Sequence, residues 1–292
     1  MNNVFSKVVI IYIYRFLLAM RKSYSTSLLL LGMIHVSSAN AQTTYECMYE
    51  YQVKNQKSGI DTYSTILQIG GRTAKFMDYS SYQVDSVTKL KEATDEIIDK
   101  YRKQEQYNEF FFDQTVYQNE PNGKQTVYSV ISPDTYSYTE NCPSIQWTLT
   151  EESDTICGYV CKKASGNYGG KMWTAWYAQE IPVAFGPWKL NGLPGLVMLA
   201  TTADGVHRFE AIGFRTGAIA ISSPGNINCI TTTREKFIKA KNHFESDPIG
   251  AIPPEAISEM TIIKGDGGKN TILVNNVQLR LRPNGYIPLE TE

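Results

Sequence analysis

The sequence predicts a mainly β chain of the α+β kind, built as a single strongly curved antiparallel sheet with about two helices. Three observations predict it. Runs of aromatic and β-branched residues recur along most of the chain, separated by Gly, Pro and Asn turn signals. Only two stretches switch to the spacing of threes and fours that belongs to an amphipathic helix. Residues 173–200, WTAWYAQEIPVAFGPWKLNGLPGLVMLA, set three prolines, three glycines and three tryptophans between two strand-like runs, and the rest of the chain is organised around this linker.

Residues 44–53 and 63–69 read as a pair of strands, and Gly70-Gly71 turns the chain into a third over 72–79, which makes a meander. Between 85 and 106 the composition changes to Lys, Glu, Asp and Ala, with Val87, Leu90, Ala93, Ile97 and Tyr101 on one helical stripe. Strands follow over 108–117 and 126–131, divided by Pro121-Asn122-Gly123, and residues 135–138 extend the pattern. Ile145, Trp147 and Leu149 alternate with polar residues, as do Ile156, Gly158 and Val160, so the two segments read as a hairpin turning at Glu151-Glu152. Residues 171–177 and 206–214 flank the linker. The apolar run 196–200 is expected to be buried on both faces. A second helix spans 232–245, with Phe237, Ala240 and Phe244 on its stripe and Asp247-Pro248 ending it. In the tail, Ile263, Ile272, Val274 and Val277 are scattered enough to support one last strand, with Gly265 to Lys269 as a loop.

Within the linker, Pro182, Pro187 and Pro194 have fixed φ and no amide donor, which excludes regular structure and imposes a rigid irregular path. Leu193-Pro194-Gly195-Leu196 has proline at i+1 and glycine at i+2, the pattern of a type II turn whose third residue needs positive φ. Gly192, Leu193, Pro194, Gly195 and Leu196 are therefore read as a structural motif.

Residues 1–41 hold Lys7, Arg15, Arg21 and Lys22 and no acidic residue. From Met20 the segment has a basic start, a short apolar core and Ala39-Asn40-Ala41, the form of a secretory signal with an A-x-A cleavage site. Cleavage gives a single mature domain over 42–292, with translation starting at Met20. Lys7 and Arg15 interrupt the earlier apolar run, so no stable transmembrane anchor is expected. No cysteine follows the small residues directly, which argues against a lipid anchor. Without residues 1–41, 24 of the 28 Lys and Arg remain against 29 Asp and Glu, a formal charge of −5. That balance disfavours nucleic acid, whose recognition needs a concentrated basic surface.

All five cysteines lie in the exported part, where oxidation is permitted. With a turn at Glu151-Glu152, Cys142 falls opposite Cys161, at the ~4.5–5.5 Å Cα separation of directly opposed strand residues, which is compatible with a disulfide. Buried free thiols are the alternative. The mature chain carries only His207 and His243, in different elements, and has no H-E-x-x-H, paired-cysteine, G-x-S-x-G or P-loop pattern. No metal site, cofactor or catalytic residue is predicted. Trp176, Tyr177, Glu180, Phe185 and Trp188 are the candidate ligand-binding residues, as aromatic walls and one carboxylate on a structured linker. The alternation in WTAWY sends Trp173 and Tyr177 to one face and Trp176 to the other, so part of this set is expected to be core.

GLPGL at 192–196, preceded by GPWKLN, by EIP at 180–182 and by GYVCKKA at 158–164, resembles the signature of the GLPGLI family of Bacteroidetes envelope proteins. The likeness is strongest over 145–215, and Val197 stands where the family often has isoleucine. The resemblance implies an exported β-rich domain and supplies no catalytic residue. By architecture alone, a curved sheet in an exported protein compares with the lipoprotein-carrier fold. The expected role is a non-catalytic periplasmic binding or carrier protein, with an apolar or peptide ligand or an outer-membrane partner on the concave sheet. The alternatives are a structural subunit of an envelope complex and an enzyme or accessory domain with its site near Glu180.

Overall fold

The computed structural model describes residues 44–291, apart from 107, 218–220, 222–223, 225–226 and 265–269. The expected signal segment lies outside the described residues, as does the loop at 265–269. The strands are β1 (Thr44–Lys54), β2 (Ile60–Gly70), β3 (Thr73–Asp78), β4 (Gln114–Gln118), β5 (Lys124–Ile131), β6 (Asp134–Asn141), β7 (Thr148–Ile156), β8 (Tyr159–Tyr168), β9 (Lys171–Ala178), β10 (Leu196–Thr202), β11 (His207–Thr216) and β12 (Ile230–Thr231). They form one twelve-stranded sheet in the order β12-β6-β5-β4-β3-β2-β1-β11-β10-β9-β8-β7. Two meanders thus meet at the β1–β11 pair. Every pairing is antiparallel except β12 with β6.

The sheet curls strongly. Seven strands separate β5 from β8, and eight steps of ~4.8 Å would set them about 38 Å apart in a flat sheet. Yet the Gln125 side chain of β5 reaches the Tyr168 hydroxyl of β8 at 3.5 Å. The concave face is apolar and aromatic, with Tyr49, Tyr51, Leu67, Phe76, Val127, Trp173 and Phe209 all buried. Tyr51 and Phe209 stack across neighbouring strands at 4.4 Å between ring centres.

Local chemistry explains where the sequence reading and the structure differ. The β7–β8 hairpin turns at Cys157-Gly158, both at positive φ (51° and 83°), as a two-residue turn of the primed type that matches strand twist. β7 continues through Glu151-Glu152 with a bulge against β8 between Leu149 and Ser153, and Cys161 faces Asp154 on one side and Ala178 on the other. Cys142 is not opposite it, and both are free thiols. The expected register, and with it the Cys142–Cys161 pairing, is therefore corrected.

The first helical stretch is two helices, α1 (Tyr79–Thr88) and α2 (Asp95–Gln106). The Asp78 carboxylate accepts from the Ser80 N–H and starts α1 early. Tyr82 and Val87 then form the buried side of α1, while Leu90 and Ile97 of the expected stripe are exposed. The helix near the carboxy terminus, α3 (Arg234–Ser246), is capped by Thr233, and Phe237 and Phe244 are buried as expected. The tail holds more β structure than one strand. A short 3-10 turn at Pro254–Ala256 leads into β13 (Met260–Lys264), β14 (Asn270–Val274) and β15 (Val277–Gln278), a separate antiparallel sheet in that order. No helix among the described residues is long and apolar enough to cross a membrane.

Candidate functional site: an open strand edge beside an apolar groove

The concave side of the sheet, where a ligand was expected, is filled by the chain itself. The linker enters it with Ile181, Trp188, Leu190 and Leu193, and the tail adds Leu289, all buried. Trp188 packs against Trp173, and its Nε1–H donates to Gln114 Oε1 at 2.8 Å. Gln118 Nε2 donates to the carbonyls of Gly186 and Trp188 at 3.0 and 2.7 Å. These bonds satisfy a linker that has no regular structure to satisfy it.

Two balanced ionic clusters lock the plug in place. Lys189, fully buried, donates to Glu290 at 2.8 Å, to Glu140 at 3.0 Å and to the Tyr138 hydroxyl at 2.8 Å, and Arg234 of α3 donates to Glu290 at 2.8 Å. In the second cluster Asp113 lies 2.6 Å from Lys241 and 3.1 Å from Arg282, and Glu245 pairs with both cations. Burial pushes the Asp113 carboxyl up, but Lys241 and Arg282 outweigh it and hold the group down at about 2. Only about 30 Å³ of space remains between the tail and the sheet here, lined by Tyr51, Tyr63, Phe112, Asp113, Arg282 and Tyr286. That is room for a water and not for an organic ligand.

The expected binding residues do not form one wall. Trp188 and Tyr177 are core residues. Trp176 is half-buried on the opposite face, with the Lys163 ammonium over its ring at 5.8 Å. Phe185 is half-buried and Glu180 is exposed in the turn after β9. The GLPGL segment is structural in detail: Leu193 and Leu196 are buried, and the Gly195 N–H donates to the Leu193 carbonyl at 2.9 Å. This i-to-i+2 bond makes a γ-turn on Pro194, whose fixed φ suits it, in place of the expected type II turn.

The open surface lies at the small sheet. All five residues of β13 are exposed, with Met260, Ile262 and Ile263 at 47, 50 and 51 %. Such an apolar strand contributes nothing to a core. Its inner edge pairs with β14 from Met260↔Val274 to Lys264↔Asn270, and among the described residues no strand pairs with the other edge. The Asn275 N–H donates to the Glu259 carbonyl at 2.9 Å. Because bonded pairs alternate in an antiparallel ladder, 261 and 263 also bond inward, and the N–H and C=O groups of Met260, Ile262 and Lys264 face outward.

Asn275-Asn276, at φ 51° and 66°, turns β14 into β15. The Asn275 side chain ties this turn to the strand entry by accepting from the Ser258 N–H at 2.8 Å and donating to the Ala256 carbonyl at 2.7 Å. Beside the small sheet lies a cavity of about 270 Å³, lined by His243 and Phe244 of α3, Ile252, Pro253, Val274 and Val277. The strand offers outward backbone bonds and apolar side chains on both faces, while the recess lies on the β14–β15 side of the small sheet. Sequence reasoning missed it, although the run MTIIK and the Asn-Asn turn were both visible signals.

The site therefore defines the chain as a plugged, curled-sheet protein with an open β edge, and comparison with known proteins adds the following. A family described as a protein of unknown function (Porph_ging) matches residues 167–199, a segment that covers β9, the linker and the GLPGL motif. No curated protein matches the chain. Among solved structures, the chain is similar to PNGF-II with 17 % identity and a TM-score of 0.47, over 68 % of this chain and 33 % of that one. The chain thus spans about a third of the length of that protein. It is also similar to a putative outer membrane lipoprotein-sorting protein domain from Vibrio parahaemolyticus (9 % identity, TM-score 0.21, 61 % of this chain and 86 % of that one). A DUF1329 family protein from Desulfovibrio piger shows 8 % identity and a TM-score of 0.18, again over 61 % of this chain and 86 % of that one.

Proposed function

We propose that this chain is a non-catalytic binding protein of the cell envelope, exported by a signal segment cleaved before Gln42, which engages an extended peptide or a protein partner by strand addition to β13. The observation that carries this reading is the five-residue strand β13, with every side chain exposed and its outer edge unpaired among the described residues. Exposed apolar strand edges are aggregation hazards that monomeric proteins blunt with charge, proline or cover, and this one has only Lys264 at its end. In strand addition, main-chain bonds supply affinity and adjoining pockets supply specificity. Met260, Ile262 and Ile263 would supply the apolar contacts to the side chains of the added strand. Membership of the GLPGLI family belongs to the same proposal, with the accessible part of the linker, Trp176, Glu180 and Phe185, as a secondary contact surface.

Ile262→Pro tests the site. It deletes an outward-facing N–H while leaving the inward ladder bonds of residues 261 and 263 in place. A photo-crosslinking residue at Ile263, introduced into protein expressed in its native envelope, is expected to trap one defined partner. Adding Ile262→Pro to that protein should abolish the adduct without lowering the melting temperature. Equal trapping from the exposed Thr62, or an adduct indifferent to the proline, would remove the strand-addition reading.

A further inference from the structure

β13 carries a pattern that specifies the chain added to its open edge. Its outward N–H and C=O groups belong to Met260, Ile262 and Lys264, since Thr261 and Ile263 bond inward to β14. This set is symmetric about Ile262. An antiparallel strand bonds to the edge only where its own outward residues fall opposite these three, so a slip of one residue would set outward groups against inward ones.

We propose, on the strand-addition reading of this edge, that the added strand is the β13 of a second copy of this chain, paired antiparallel about a two-fold axis through Ile262. Met260 then pairs with the partner's Lys264, Thr261 with the partner's Ile263, and Ile262 with the partner's Ile262. All five residues of each strand are used, and every outward N–H and C=O of one copy meets its complement on the other. Moving the axis to Thr261 or Ile263 leaves only three residues of each strand paired. The two copies build a six-stranded sheet, with β15-β14-β13 on each side of the axis. Closed two-fold symmetry makes the edge its own complement and covers both β13 edges, which removes the aggregation hazard of an exposed apolar strand.

Side-chain chemistry favours the same arrangement. Lys264 is the one charged residue of β13, and antiparallel pairing sets it beside the partner's Met260, along which its methylene stem can lie. The two Lys264 side chains then stand four residues apart along the sheet, about 13 Å at ~3.3 Å per residue, beyond the ~8 Å screening length for exposed charges. A parallel pairing in register would put the two lysines directly opposite, which is destabilising. The other pairs join β-branched residues, which gain from cross-strand contact, and Ile262 and Ile263 are exposed and open to it. Five residues a side are far fewer than the roughly 20–30 of a standard stable interface, so the dimer assembles with concentration.

The test is sedimentation velocity on the mature protein from about 5 to about 500 µM, a range that brackets a dissociation constant in the tens of micromolar. A shift from monomer to dimer is expected across it. Ile262→Pro removes an outward N–H, and Ile262→Lys places two like charges directly opposite across the axis; both variants should stay monomeric while melting like wild type. Mild oxidation reads the register. Ile262→Cys sets two thiols at the ~5.5 Å Cα separation of a bonded pair, within disulfide reach, and should give a dimer whose digest links position 262 to itself. Thr261→Cys lies ~7–8 Å from its own counterpart and should give no more dimer than wild type, which carries the exposed Cys157. A monomer at every concentration, a dimer kept by either Ile262 variant in sedimentation, or a self-link at 261 and not at 262 would each overturn self-pairing. If the crosslinker at Ile263 then still traps a different protein in a proline-sensitive way, strand addition stands with a foreign chain as its partner; if it traps nothing, both readings fall.

Discussion

Replacing Gly195 by alanine tests why the GLPGL motif needs its last glycine. A β-carbon at position 195 would lie 2.3 Å from the Ala178 carbonyl oxygen and 2.7 Å from its carbon. Both are main-chain atoms of β9, and Ala178 pairs with Leu196 on one side and Cys161 on the other. No rotamer change relieves the contact, so the linker must separate from the strand or the register must shift. Overpacking costs about 1–3 kcal/mol and occasionally more, and a backbone collision belongs at the upper end, near ~3 kcal/mol. For a chain of this size each kcal/mol lowers the melting temperature by about 2–4 °C, so Gly195→Ala should melt roughly 6–12 °C below wild type by circular dichroism. Gly192→Ala is the control. Gly192 sits at φ 89° and a β-carbon there meets nothing closer than 3.9 Å, leaving conformational strain of about 1–2 kcal/mol. If Gly192→Ala loses as much as Gly195→Ala, or Gly195→Ala melts like wild type, the close approach to Ala178 is not what demands glycine.

The remaining predictions concern the plug. Glu290→Ala leaves Lys189 buried with a reduced set of partners and should cost about 3–5 kcal/mol in urea unfolding; a loss below ~1 kcal/mol would mean that the tail is held by Leu289 and its neighbours instead. Leu196→Ala truncates a fully buried side chain and should cost about 2–5 kcal/mol, whereas a near-native melt would make position 196 a surface contact. His207 accepts from the Tyr51 hydroxyl at Nδ1 (2.8 Å) and donates from Nε2 to the Pro288 carbonyl (3.1 Å), a fully bonded neutral ring. Burial, with Lys171 adding to it, pushes its pKa down to about 4. The unfolded chain therefore takes up a proton below ~6.5 that the folded chain refuses, so stability is full above that value and falls as the pH drops toward about 4. Between pH 7.5 and 5 this residue should remove about 2 kcal/mol, and His207→Asn should flatten that part of the curve; an unchanged slope in the variant would refute the assignment.

Much of the fold was legible because strands and turns carry local signals. The aromatic and β-branched runs at 44–53 and 63–69 marked β1 and β2, and Gly71, at φ 63°, turned β2 into β3. The failures share one cause, a competing local option that only tertiary contacts decide. Glu151-Glu152 looked like a turn from polarity, but Gly158 is the residue that tolerates positive φ at no cost, and it fixed the hairpin six residues further on. Pro194-Gly195 fits both a type II turn and a γ-turn. The Leu196 N–H, which a type II turn would return to the Leu193 carbonyl, donates instead to the Ile181 carbonyl at 3.0 Å. The Asp78 cap moved α1 forward because its partner was the backbone N–H of Ser80 and not a periodic apolar residue. The candidate sites were the least legible part. The run MTIIK marks β13 as a strand, but that its outer edge is left unpaired among the described residues depends on which strands return to it, and no local segment carries that.

The placement of charge argues for function at the periphery. Each ionic cluster joins a carboxylate or cation of the tail to α3 and to a segment of the large sheet or its loops: Glu290 to Arg234, Lys189 and Glu140, and Arg282 to Glu245 and Asp113. Buried pairs add little net stability over apolar packing, yet separating their members is costly. A carrier that opened its concave face would have to withdraw the tail, which leaves Lys189 and Arg234 sharing Glu140 and leaves Asp113 and Glu245 sharing Lys241, each cluster one charge out of balance. Nothing comparable restrains β13, whose outer backbone groups face no strand among the described residues and whose apolar side chains gain contacts only from an incoming chain. The free energy of association is available at that edge, whereas in the interior it has already been used in folding, and this difference favours a binding protein that works with its concave face closed.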